Sequence, residues 1–168
     1  TSWLLYLAAH HPEVKQALTE EIDSFLQDLK CTGESLTVSS LKRLKYLDAC
    51  IQEQLRLVSV AVFMGRTGNE PFIVDDRITI PAHVDVIYFN HHVNTSETYF
   101  ANPDKFMPER FLNTSGSECK PEQMVFPPFG AGARTCPGRD YALMQIKLFF
   151  INLCSRYEFE PLERYDVN

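Results

Sequence analysis

The stretch FGAGARTCPG, residues 129–138, puts one cysteine into a bend with three glycines, an arginine and a proline. An apolar run ending in IKLFFINLC follows directly. A free cysteine is ordinarily a small buried hydrophobe, but the neighbours of Cys136 point elsewhere. Gly132 and Gly138 free the backbone for positive φ, or for close approach by a flat group. A helix beginning near Gly138 turns its positive end towards the sulfur, and its first amides can hydrogen-bond a thiolate. Arg134, two residues before the cysteine, suits a two-point grip on a carboxylate.

Working outward, the chain of 168 residues with 45% hydrophobic content is long enough for one domain with its own core. A net charge of −6 without a long basic run gives no reason to expect nucleic acid as a partner. The five cysteines, Cys31, Cys50, Cys119, Cys136 and Cys154, are odd in number and widely spread. They show neither zinc-finger spacing nor a disulfide framework, so a reducing, cytosol-facing setting is expected. The apolar segments WLLYLAA and LFFINLC fall short of the roughly 20 residues a membrane-spanning helix needs. No signal peptide is visible, and a start at Thr1 suggests a piece of something longer, with any anchor upstream. His10, His11, His91 and His92 have no carboxylate or cysteine at ligand spacing, and read as surface or junction residues.

Residues 3–9 read as the last turns of a buried helix, broken at His11-Pro12. Val14, Leu18, Ile22, Phe25 and Leu29 recur every three or four residues, which predicts an amphipathic helix closed by Cys31-Thr32-Gly33. A second helix is predicted over residues 40–57, with Leu44, Leu47, Cys50, Ile51 and Leu55 as its stripe. PFIVDDRITIP reads as two strands joined at Asp75-Asp76, and VDVIYF as a third. Residues 103–111 suit a short turn or helix, and residues 113–123 are polar and irregular. The last helix, residues 138–156, is apolar nearly all round and is therefore expected to be buried. Helices at both ends with small strands between them make an α-dominated α+β fold.

A thiolate, bare backbone and a carboxylate clamp fit haem, which carries two propionates and an open axial position. The run Phe129, Gly132, Arg134, Cys136, Gly138 resembles the haem-binding signature of the cytochrome P-450 family, Phe-x-x-Gly-x-Arg-x-Cys-x-Gly, and Ala142 fits its longer form. EQLR sets Glu53 and Arg56 on one helix face, and PERF supplies Arg110. Both are similar to the family's Glu-x-x-Arg helix and its later arginine, a buried three-charge network that is scaffold, not catalyst. WLLYLAAHHPEV resembles the end of the family's long central helix, and ITIPAHVDV its following strand pair. The likeness runs through residues 1–168, as the C-terminal part of the cytochrome P-450 fold without its N-terminal part.

The resemblance implies iron protoporphyrin IX (haem b) with Cys136 as axial metal ligand. Arg134 and Arg66 would meet the propionates, and Phe129 would pack near the sulfur. It implies a monooxygenase that inserts one oxygen atom of O2 into a lipophilic substrate, with NADPH electrons delivered by a redox partner such as a flavoprotein reductase. Lys42, Arg43, Lys45 and Arg139 form the basic patch such a partner would meet. Val60, Ala61, Val62 and Phe63 would make an apolar substrate wall, and GRDYALMQIKLFF faintly resembles fatty-acid hydroxylase members. The complete enzyme would sit at the cytosolic face of the endoplasmic reticulum membrane through an N-terminal anchor outside this chain. The family's oxygen-side threonine lies further upstream than Thr1 allows, which leaves open a haem-thiolate isomerase or dehydratase that uses no O2. A non-catalytic fragment that binds no haem by itself also stays open. Ser59 stands where the family usually has proline, and His83 replaces a customary glycine.

Overall fold

The computed structural model describes residues 1–74, 76–112 and 126–161. Asp75, Cys119 and the polar tract of residues 113–123 lie outside the described residues. Helix α1 spans Ser2–His10 and α2 spans Pro12–Thr32. The proline opens α2 at the position where its missing N–H costs nothing. Gly33, at φ 67°, ends α2 in the left-handed conformation, and its N–H returns to the Leu29 carbonyl. Val14, Leu18, Ile22, Phe25 and Leu29 are all buried, so the predicted stripe is the face that packs. Each such side chain contributes about 1.5–3 kcal/mol by leaving water.

The predicted helix over residues 40–57 is two elements. A 3-10 turn covers Ser40–Arg43, Leu44 breaks the helical path at φ −75°, ψ 81°, and α3 runs Lys45–Leu57. The break has a chemical cause outside the segment. The Glu21 carboxylate of α2 accepts the N–H groups of Tyr46 at 2.6 Å and Leu47 at 2.9 Å. Two amides at the start of α3 thereby meet a negative group, which also complements the positive end of the helix.

Two antiparallel ribbons follow. Strand β1, Met64–Thr67, pairs with β4, Asp85–Tyr88, with Arg66 opposite Val86. Strands β2, Phe72–Val74, and β3, Ile78–Ile80, form a separate hairpin. The third predicted strand therefore belongs to a ribbon with β1, which the sequence reading missed. MGRT has neither alternation nor β-branched residues apart from Thr67. His83 takes φ 63° in the turn before β4, a position its Cβ makes costly. Its N–H is held by the Gly68 carbonyl at 2.8 Å.

Helix α4, Asn90–Asn94, leads to a 3-10 turn at Pro108–Phe111. After a further 3-10 turn at Gly132–Arg134, α5 runs Arg139–Cys154. The core joins α1, α2, α3 and α5 through Leu4, Leu18, Ile22, Leu47, Ile51 and Phe150, all without exposure. The expectation of a fully enclosed last helix needs correction. Only Lys147, Phe150 and Ile151 of α5 are buried, while Tyr141 and Phe149 are 60% and 41% exposed. One side of α5 packs on the core, and no described element covers the other. Helices with small antiparallel ribbons between them make this an α-dominated α+β fold.

Candidate haem-thiolate site

The loop that carries Cys136 is closed by backbone bonds. The Cys136 N–H donates to the Phe129 carbonyl at 2.8 Å, Gly130 N–H to Pro127 at 2.9 Å, and Thr135 N–H to Gly132 at 3.1 Å. Gly130 at φ 77° and Gly132 at φ 69° supply the left-handed turns. A Cβ on Gly130 would stand 3.8 Å from the Met64 sulfur of β1, so strand and loop meet there. The sequence reading assigned this freedom to Gly132 and Gly138. Gly138 has φ −89°, and the position it overlooked is Gly130.

The sulfur-bearing side chain of Cys136 is exposed. Phe129 is half-buried against the core, Ala142 is half-buried one turn into α5, and Arg134 is exposed. Arg66 is exposed on β1, with one guanidinium N–H on the Gly65 carbonyl at 2.8 Å. Val60, Ala61, Val62 and Phe63 are exposed, Val60 to 87% and Phe63 to 62%. Their backbone is tied down all the same. Ala61 and Val62 carbonyls accept from Asn90 Nδ2 at 3.0 Å and His91 N–H at 3.3 Å.

These residues fit an axially ligated haem in their chemistry. The loop presents a reachable sulfur, Gly132 has nothing within 4 Å of where a Cβ would stand, and two exposed guanidiniums suit two carboxylates. The other cysteines differ in kind. Burial pushes the Cys50 and Cys154 thiols up, leaving them poor thiolates at neutral pH. Cys31 is exposed at the end of α2, away from any glycine loop.

A cavity of about 630 Å³ lies between α3 and the cysteine loop, lined by Asp48, Gln52, Phe129, Gly132, Arg139 and Leu143 among others. Neither Cys136, Arg134, Arg66 nor residues 60–63 line it. The cavity and the sulfur are therefore separate features of the loop.

Glu53 and Arg56 are fully buried on α3 and joined at 2.9 and 2.8 Å. Arg110 Nε reaches the same Glu53 oxygen at 3.0 Å, as does the Met107 N–H. Arg56 spends all five guanidinium N–H bonds. Two go to Glu53, and one each to the carbonyls of Asn94, Pro103 and Lys105. Arg110 holds the carbonyls of Ala101 and Asn102. The network thus clamps residues 94–107 onto α3.

Three features escaped the sequence reading. Ser59 donates to the Leu55 carbonyl at 3.1 Å and accepts from Asn94 Nδ2 at 3.0 Å, so this departure from proline carries its own partner. Lys147 is buried on α5, on Asp48 at 2.7 Å and the Leu41 carbonyl at 2.9 Å. Its place in an apolar run hid it. In the basic patch, Arg43 is taken up by Glu34 at 3.3 Å and the Phe25 ring at 5.0 Å. All four members, Lys42, Arg43, Lys45 and Arg139, are exposed. His10 and His11 turn their Nδ1 atoms to the carbonyls of Tyr6 and Leu7, both at 2.8 Å. Among the described residues no group of three or more metal-ligating side chains gathers.

A family model described as Cytochrome P450 matches residues 1–168. The chain is 33% identical to cytochrome P450 3A6 of Oryctolagus cuniculus over 166 residues, 99% of this chain and 32% of that protein. It is 34% identical to Taxoid 7-beta-hydroxylase of Taxus cuspidata, covering 96% of the chain and 32% of that protein. It is 30% identical to cytochrome P450 4c3 of Drosophila melanogaster, covering 97% and 30%. The chain spans about a third of the length of the curated relatives it matches.

Proposed function

The chain belongs to the cytochrome P450 family, a family of haem-thiolate monooxygenases, and from that premise we propose that it forms the axial-sulfur side of an enzyme inserting one atom of O2 into a lipophilic substrate. The observation that carries the reading is an exposed Cys136 on a loop closed by its own N–H on Phe129, between Gly132 and α5. Cys136 is the axial ligand. Arg134 and Arg66 hold the propionates, and Phe129, Gly132, Gly138 and Ala142 shape the ground beneath the ring. Bound haem supplies the oxygen chemistry. The residues of this chain would hold the sulfur at a set place and temper the electron density it donates.

Val60, Ala61, Val62 and Phe63 form an apolar wall for the substrate. Their exposure, with carbonyls pinned to α4, supports a firm surface instead of a floppy one. Hydroxylation is favoured over isomerisation by the relative whose name is a hydroxylase. Electrons come from NADPH through a flavoprotein partner that meets Lys42, Arg43, Lys45 and Arg139. The complete protein works at the cytosolic face of the endoplasmic reticulum membrane, where lipophilic substrates partition. Among the described residues no helix is long and apolar enough to cross a membrane, so an anchor would lie outside them.

The test is optical. The complete, reduced protein under carbon monoxide is expected to show the red-shifted Soret band of a thiolate-ligated haem, and Cys136→Ser to abolish it. An unchanged band in the serine variant would overturn the assignment. Fatty acids and bulkier sterols, compared as substrates with NADPH and reductase, then sort the substrate class. Turnover of a peroxide without NADPH or O2 would move the enzyme to the isomerases.

A further inference from the structure

Residues 60–63 lie between α3 and β1, outside any helix or strand. Their side chains are exposed, so packing contributes little to placing them. Among the described residues, none of their N–H groups reaches a backbone carbonyl. What holds this stretch comes from α4. Asn90 Nδ2 donates to the Ala61 carbonyl at 3.0 Å, the His91 N–H to the Val62 carbonyl at 3.3 Å, and Asn94 Nδ2 to Ser59 Oγ at 3.0 Å. Asn90 and Asn94 stand one helical turn apart, hence on one face of α4, and both are buried. Their platform is itself anchored, because Arg56 of α3 holds the Asn94 carbonyl at 2.7 Å.

Asn90 occupies its place at a cost. Its Oδ1 is buried and meets no donor among the described residues. Burying an amide with one end unpaired is unfavourable, and a leucine would fill the same space without that penalty. The bond to Ala61, and not the room it fills, therefore accounts for this side chain. We propose that Asn90 and Asn94 are positioning residues that set where the substrate wall stands, and so decide which lipophilic chains fit beside it. The inference rests on residues 60–63 forming that wall. The two asparagines act through the Ala61 carbonyl and the Ser59 hydroxyl.

The test uses the complete, haem-loaded ferric protein and two probes, n-butylamine and n-octylamine, whose nitrogen binds the iron and whose tails differ in length. The ratio of their affinities, read from the Soret shift, reports the wall and cancels whatever alters the iron alike for both. Phe63→Ala is measured first and is expected to lower the preference for the longer amine. An unchanged ratio there would sink the wall itself and not merely this inference. Given that response, Asn90→Leu cuts the Ala61 bond, and Ser59→Ala takes away the acceptor of Asn94. Each is expected to reduce the octylamine preference about five- to tenfold, since a displaced wall gives up part of the tail's burial, while butylamine affinity holds. A ratio unchanged in either folded variant, or equal loss for both amines, overturns the proposal. Should Asn90→Leu not fold, Ser59→Ala, which removes one hydroxyl, decides it alone.

Discussion

Arg56 shows how much one side chain can hold. A guanidinium has five N–H bonds in a planar fork, and here each finds an oxygen in a site without solvent. Lysine brings three donors from one point, so Arg56→Lys leaves carbonyls of residues 94–105 unpaired and Glu53 half-matched. The expected cost is about 3–5 kcal/mol, the usual range for breaking a buried pair. Urea denaturation of the complete protein should show it as a lower midpoint or as loss of soluble protein. An unchanged midpoint would remove Arg56 from the scaffold. Much of this was legible, because Glu53 and Arg56 stand three residues apart on a helix. The receiving carbonyls were not, since backbone acceptors leave no mark in a sequence. Ser59 illustrates the same limit. A departure from the family's proline looks like a flaw until Asn94, 35 residues away, is found bonded to it.

At the level of elements, periodicity found the helices and misjudged their junctions. Leu44 continues the apolar stripe, so nothing in the spacing marks it as the break between the 3-10 turn and α3. The mark is Glu21, on another helix and 25 residues from the amide it receives. Glu21→Ala should leave the Tyr46 and Leu47 amides without their carboxylate and cost about 1 kcal/mol, in line with helix-start caps elsewhere. Amide hydrogen exchange at the start of α3 should quicken in that variant while the middle of α2 keeps its protection. Equal protection at both places would show the carboxylate to be ornamental. Strand β1 was missed for the opposite reason. A four-residue edge with a glycine has no pattern to read, and only its pairing with β4 defines it.

For the whole molecule, the telling feature is unfinished surface. Val60, Ile73, Ile78 and Ile87 are each more than 60% exposed, and both ribbons show open apolar faces. Large apolar side chains exposed to this extent ordinarily await a cover. The residues assigned to haem lie along one loop, the start of α5 and one strand, which would support the ring from one side only. The 168 residues expressed alone are therefore expected to hold haem weakly or not at all. Titration with haemin, read by its absorption, should give no stoichiometric end point. A stable one-to-one complex with the thiolate-type spectrum would contradict this. The fold class was legible because helical and strand texture separate cleanly along the chain. The open side of α5 was not, since an all-round apolar helix looks the same whether or not its covering partner is at hand.

Lys147 carries one more implication. An α-helix turns about 100° with each residue, so a cylinder packed only through smooth hydrocarbon can settle in several angular positions. The ammonium of α5 must land on one carboxylate and one carbonyl of the neighbouring segment, and it does so in a single orientation. It works like the key on a shaft. Because the sulfur-bearing bend leads straight into that shaft, its aim is set some two turns further along the helix, by a residue outside the bend itself.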